Sequence, residues 1–147
     1  MGNDEKCEAV RDYARHTTGS EQVHRNWTKS LVYTDGIKFL ADTCEAHWLI
    51  DLVASHQTGI RRALARLRKR DFQVWRLAGW KIPGGEKAGE QWGPDDHDDA
   101  VITAWEDTPY ESRMLVRQSI PVTDFPDDLM PFEFWVENGT MLLKEER

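Results

Sequence analysis

Tyr33-Thr34-Asp35-Gly36-Ile37-Lys38-Phe39-Leu40, running on to Trp48-Leu49-Ile50-Asp51-Leu52-Val53 and His56-Gln57, is the stretch whose reading decides the fold. It opens as a polar turn and continues as a long apolar-periodic run. Ile37, Leu40, Ala41, Cys44 and Trp48 recur at spacings of three and four, and Leu49, Leu52, Val53 and His56 keep the rhythm. That is the stripe of an amphipathic helix burying one face. Asp35 is placed to accept from the free N–H groups of the first turn, which predicts it as the N-cap. The run from Asp35 to Gln57 exceeds an average helix, so a break is predicted near residues 43–46. Thr58-Gly59 is the expected stop, since glycine suits the left-handed position that follows a helix.

Upstream, Asn3 to Arg15 reads as a short helix with Cys7, Val10 and Ala14 on one side and Asn3 or Asp4 as cap. Residues 16–20 form a linker. Thr18 or Ser20 is the predicted cap of a second short helix reaching Trp27, and Leu31-Val32-Tyr33 reads as a brief strand. Downstream, residues 60–70 are predicted as a basic helix with Ile60, Leu64 and Leu67 on its apolar edge. Phe72 to Leu77 alternates and is rich in strand formers. Residues 82–99 carry Pro83-Gly84-Gly85 and a run of aspartates, and read as a long loop. Strands are expected at residues 100–106, with Val101, Thr103 and Trp105 on one face, and at 114–122, with Met114, Val116 and Ile120 on one face. Phe132, Phe134 and Val136 alternate with Glu133, Trp135 and Glu137 before Asn138-Gly139. Asn-Gly between alternating runs is a strong hairpin signal, because a type I′ turn needs positive φ at both central residues. Helices first and strands second imply an α+β fold, with N-terminal helices packed on one face of a C-terminal antiparallel sheet.

A chain of 147 residues fits a single domain, residues 1–147. Seven Trp and five Phe supply a large aromatic core, and two Cys are too few for a disulfide framework. Cys44 lies on the apolar stripe and reads as a small buried hydrophobe. Neither a signal peptide nor an apolar run of spanning length is visible, so a cytoplasmic location in a bacterial host is expected. The net charge of −7 hides an asymmetry. Residues 1–81 hold 14 Lys and Arg against 10 Asp and Glu, a balance of +4. Residues 82–147 hold 5 against 16, a balance of −11. The second half repels nucleic acid unless the fold separates its charge.

Trp27, the Tyr33-Thr34-Asp35-Gly36 turn, Trp48-Leu49-Ile50-Asp51, Gln57, Phe72-Gln73-Val74-Trp75, Asp124-Phe125-Pro126 and Asn138-Gly139 stand in an order and spacing that resemble a family of small proteins of bacterial plasmids and phages. The resemblance spans residues 18–145 and treats residues 1–17 as an N-terminal helical extension. This chain departs from the family pattern in that extension and in a longer, more acidic middle loop. The family brings no established activity. What the resemblance implies is a mobile-element protein, and small proteins of such elements include inhibitors of host defence such as anti-CRISPR proteins.

The candidate surfaces follow from charge. Asp95, Asp96, Asp98 and Asp99, with Glu106, Asp107, Asp127 and Asp128, can present carboxylates that compete with nucleic acid for a basic partner groove. The ordinary alternative is a solubilising surface. Trp135 between Glu133 and Glu137 suits a protein-binding hot spot, unless it packs beneath a loop. Counted from Asp95, Glu106 falls at the twelfth place of an EF-hand-like loop, but Ala100 stands where the sharp-turn glycine belongs. Arg61, Arg62, Arg66, Arg68, Lys69 and Arg70 are the alternative surface, able to grip phosphates or simply forming the solvated face of a helix. Cys44 and His47, three apart on the predicted helix, can meet, but the apolar setting disfavours a thiolate. No phosphate-binding glycine loop, Cys-x-x-Cys pair or His-Glu-x-x-His is present. The expectation is a non-enzymatic protein without cofactor or metal, whose partner is a host protein or ribonucleoprotein complex. The alternative is a nucleic-acid-binding accessory or regulatory protein using residues 60–70.

Overall fold

The computed structural model describes residues 2–17, 22–79, 98–109 and 111–146. The expected loop 82–99 lies largely outside them. In chain order the elements are α1 (Asn3–His16), β1 (Val23–Arg25), β2 (Val32–Thr34), α2 (Asp35–Cys44), α3 (His47–Ser55), α4 (Gln57–Arg66), β3 (Phe72–Gly79), β4 (Ala100–Trp105), β5 (Met114–Ile120), β6 (Phe132–Glu137) and β7 (Thr140–Leu143). The strands form one sheet in the order β1-β2-β7-β6-β3-β4-β5. All neighbours are antiparallel except β2 and β7, which run parallel with Val32 opposite Thr140. The α+β class is as expected. The sheet is not purely C-terminal, however, because β1 and β2 complete one edge of it.

β1 replaces the helix predicted to end at Trp27. Val23 and Trp27 were to be its apolar side, but two apolar residues bury too little to hold a short helix. Pairing with β2 satisfies the backbone instead, and Val23 and Trp27 stand 60% and 78% exposed.

The central stretch breaks as predicted at Glu45, which takes a left-handed φ of 53°, and Ala46 N–H closes on Ala41 O at 2.9 Å. Its start differs by one residue. Thr34, not Asp35, is the N-cap, its Oγ1 accepting from Ile37 N–H at 3.4 Å. Asp35 is the first helical residue, where its charge suits the helix dipole. Gly59 is not a stop. The junction falls at His56, whose N–H bonds to Val53 O while its carbonyl accepts from Ile60 N–H, so the turn is satisfied without a left-handed residue. α4 then ends at Arg66, short of the predicted residue 70. Arg68, at φ 55°, donates to Ala65 O, and Lys69 N–H reaches back to Leu64 O at 2.9 Å. That is a Schellman motif with arginine where glycine is usual. α1 is the predicted N-terminal helix, but its N-cap is Gly2, without a side-chain bond.

Alternation sorts β3 between two environments. Gln73, Trp75 and Leu77 face the helices, together with Ile102, Ala104, Phe134, Val136, Met141 and Leu143. Trp75 lies 6.1 Å from Phe134, ring to ring. Gln57 and Gln73 are fully buried and exchange amide hydrogen bonds at 3.1 and 3.0 Å, and Trp75 Nε1 donates to Gln73 Oε1 at 2.8 Å. Burial of these amides is tolerated because each finds a partner. A second lock closes the sheet edge. The Glu146 carboxylate accepts from Thr34 Oγ1 at 2.7 Å, Gly36 N–H at 3.3 Å and Leu143 N–H at 2.9 Å. A Cβ on Gly36 would sit 2.3 Å from Glu146 Oε1, so glycine here makes room for that carboxylate.

The predicted alternation of Met114 with Val116 and Ile120 is broken by a bulge. Ala104 pairs with Val116 but Trp105 pairs with Met114, so Met114 turns to the opposite face while Val116 packs on the helix side. The β6–β7 hairpin forms as read, with Asn138 and Gly139 at φ 51° and 79°.

Candidate functional site

The other face of the sheet carries no described helix. Register places Trp135, Val74, Trp105 and Met114 side by side across it, with Glu133, Arg76, Thr103 and Arg117 in the adjacent row. Phe72, Val74 and Trp105 are buried there as a small cluster separate from the main core. Phe72 meets Trp135 edge-on at 5.5 Å between ring centres, and the Arg70 guanidinium lies 4.6 Å from the centre of the Phe72 ring.

A groove of about 290 Å³ opens on this face. Its floor is Phe72, Val74 and Trp135, and its walls are Arg70, Glu133 and the turn Asp107-Thr108-Pro109. The turn is braced by Ser112, whose Oγ accepts from Asp107 N–H at 3.1 Å and donates to Thr108 O at 2.9 Å. Among the described residues, neither the Glu133 nor the Asp107 carboxylate takes part in an ion pair. Arg70 stacks on Phe72 instead of neutralising them. The result is an aromatic floor with two uncommitted negative charges at its rim.

Three of the residues singled out from the sequence, Trp135, Asp107 and Arg70, therefore converge, although the sequence placed them on two rival surfaces. The rest do not join them. Asp95 and Asp96, with His97 of the EF-hand-like reading, lie outside the described residues. Asp98 and Asp99 stand at the far end of β4, about 17 Å from Asp107 at strand rise. There Asp99 Oδ2 accepts from Thr123 N–H at 2.9 Å. Asp127 and Asp128 form a short 3-10 turn beside α1, and Arg11 donates to Asp128 O at 2.7 Å. Glu106 is partly buried, and one of its carboxylate oxygens finds no donor among the described residues.

The basic set also divides. Arg61 is a brace rather than a free cation, donating to Ser30 O at 3.0 Å and lying 3.6 Å from Asp71. Its guanidinium crosses so close to Gly139 that a Cβ there would approach it to 2.8 Å. Arg62, Arg66, Arg68 and Lys69 are exposed along α4 and its exit.

The Cys44–His47 pairing is corrected, since the two belong to different helices and His47 Nε2 engages Asp42 at 2.8 Å. Burial pushes the Cys44 thiol up to about 11, and it raises Cys7 too. His56 bonds Gln118 at 2.8 Å, as a helix-end residue. His24 and Asp35 form a half-buried pair at 2.8 Å. No group of three or more His, Cys, Asp or Glu able to hold a metal lies among the described residues. None of the described helices is long and apolar enough to cross a membrane.

Two surface features escaped the sequence. Trp27 was assigned to a helix side, yet it lies on the surface with Nε1 bonded to Asp51 Oδ1 at 3.0 Å. The polar Thr28-Lys29-Ser30 that follows, without apolar spacing, was the available signal. Phe72 was read only as a strand former, although alternation with Trp75 already put it on the Trp135 side.

Fold and groove define a class: an α+β protein whose sheet is covered by helices on one face and bears a carboxylate-rimmed aromatic groove on the other. Within that class the chain belongs to the Family of unknown function (DUF6876), whose model matches residues 9–147 and so reaches back into α1. No curated protein and no solved structure matches the chain.

Proposed function

We propose that the chain is a non-enzymatic binding protein of a phage or related mobile element, which inhibits a host defence complex in the manner of an anti-CRISPR protein. The observation that carries this reading is the groove: Trp135 and Phe72 as apolar anchors, with Glu133 and Asp107 uncommitted at the rim. Aromatic anchors within a polar rim are the usual make-up of a protein-binding hot spot. The −11 balance of residues 82–147 adds steering toward a basic surface that would otherwise hold nucleic acid. The mobile-element setting is supported by the landmark resemblance, and with it a partner that is a host protein or ribonucleoprotein complex in the bacterial cytoplasm.

Affinity capture of the tagged chain from a bacterium with active defence systems tests this. One stoichiometric partner is expected, retained by Asp98→Lys/Asp99→Lys and lost with Asp107→Lys/Glu133→Lys. Recovery of the chain alone would overturn the proposal.

A second reading, nucleic-acid binding, draws on the exposed Arg62, Arg66, Arg68 and Lys69 at the end of α4. It expects binding of duplex or single-strand DNA that weakens steeply with salt. No binding at low salt removes it.

A further inference from the structure

The groove on the helix-free face has a more specific chemistry than a general anchor point. Its floor already demonstrates what it accepts, because the chain's own Arg70 guanidinium lies over Phe72 at 4.6 Å. Planar guanidinium groups stack on aromatic rings and bind carboxylates through two parallel donors. Trp135, the stronger cation-binding ring, lies beside Phe72 with no described cation over it. Glu133 and Asp107 flank it on opposite walls without ion-pair partners among the described residues. The cavity, about 290 Å³, is at the small end for ligand sites and suits one long side chain better than a whole cofactor.

We infer that this groove takes an arginine side chain projecting from a segment of the protein partner, its guanidinium over Trp135 and between the Glu133 and Asp107 carboxylates. Charge complementarity selects this occupant. Two free carboxylates against one already stacked cation leave a negative surplus, which opposes a phosphate backbone and favours a guanidinium. The inference deepens the binding-protein reading and rests on it, but its test needs no knowledge of the host partner.

The test uses the full chain, labelled with ¹⁵N, and the capped peptide acetyl-Ser-Arg-Gly-Arg-Gly-Arg-Ser-amide. Its control carries citrulline, a neutral isostere, at each arginine. The arginine peptide is expected to shift the Trp135 indole N–H, assigned by its disappearance in Trp135→Phe, along with the amides of residues 72–74 and 107. Citrulline should weaken binding at least ~10-fold, and so should Glu133→Gln/Asp107→Asn, which preserves shape while removing charge. Equal binding of both peptides would overturn the inference. So would shifts confined to Asp98, Asp99, Asp127 and Asp128, or displacement of the indole signal by an oligothymidine instead of the peptide. If the peptide fails while affinity capture still yields a partner, the groove assignment falls and the binding-protein reading stands. If the peptide binds and capture yields nothing, the reverse holds.

Discussion

β3 sends alternate side chains into two different worlds. On its helix side, Gln73 and Trp75 join Gln57 in a sealed hydrogen-bond network with no exposed surface. On its other side, two residues away in either direction, Phe72 and Val74 floor a groove with two uncommitted carboxylates at its rim. The landmarks of the family resemblance fall mostly on the first side or on its locks. Thr34 caps α2, Gly36 yields space to Glu146, Asp51 holds Asn26 and Trp27, and Gly139 yields space to Arg61. Those landmarks thus describe how the fold is fastened. The groove, which carries the binding proposal, rests on Phe72 from one landmark and on residues outside the landmarks.

The sharpest way to break this division is at Gln73. Gln73→Leu strands the Gln57 amide and the Trp75 indole N–H in the core, and should cost about 3 kcal/mol or more. Urea unfolding measures it; a loss below ~1 kcal/mol would mean the network is not structural. Next is the Glu146 lock. Gly36→Ala and Glu146→Ala should each cost about 1–3 kcal/mol, and the double variant should cost little more than either alone, since both remove the same hydrogen bonds. Additivity would show that the lock is not one unit.

On the groove side the expectation reverses. Glu133→Gln/Asp107→Asn should change unfolding by less than about 0.5 kcal/mol, because neither carboxylate has a described partner to lose. Arg68→Gly should stabilise by about 0.5–1 kcal/mol, since it relieves the left-handed arginine that ends α4. The smallest effect is a pH dependence. Hydrogen bonds from Lys38 and His47 hold the Asp42 carboxyl below its ordinary 3.8. A depressed carboxyl stabilises the fold above the unfolded value, and that contribution is lost as pH falls through the folded one. The fall in unfolding midpoint between pH 5 and pH 2.5 should be slightly shallower for Asp42→Asn than for the parent chain. An equal fall would mean the pair adds nothing.

Periodic, local signals were legible. The helix break at residues 43–46, the β3 alternation and the Asn138-Gly139 hairpin each follow from a few neighbouring side chains, and each is present. The misses have one physical source, which is that distant parts of the chain supply the deciding contacts. β1 is a strand because β2 pairs with it. Arg68 holds a left-handed turn that its residue type does not advertise. Met114 is flipped by a bulge at β4. Of the candidate site, Trp135 and its flanking acids were readable from alternation. Its union with Arg70 and Asp107 was not, because it depends on β3 lying between β4 and β6.

The parallel pairing of Val32 with Thr140 imposes a schedule on synthesis. β1 and β2 leave the ribosome early, but the strand they dock on is made last among those in the sheet, and the carboxylate that seats Thr34 and Gly36 comes later still. At bacterial elongation rates that gap is about 5–20 seconds. For that time the early hairpin has an open edge, and α2 lacks one of its caps. Folding of this domain is therefore a terminal event, released when residues 140–146 emerge. A product that stops short of them forfeits the edge of the sheet and the seat of α2 together, which marks incomplete chains for proteolysis before they can occupy a partner.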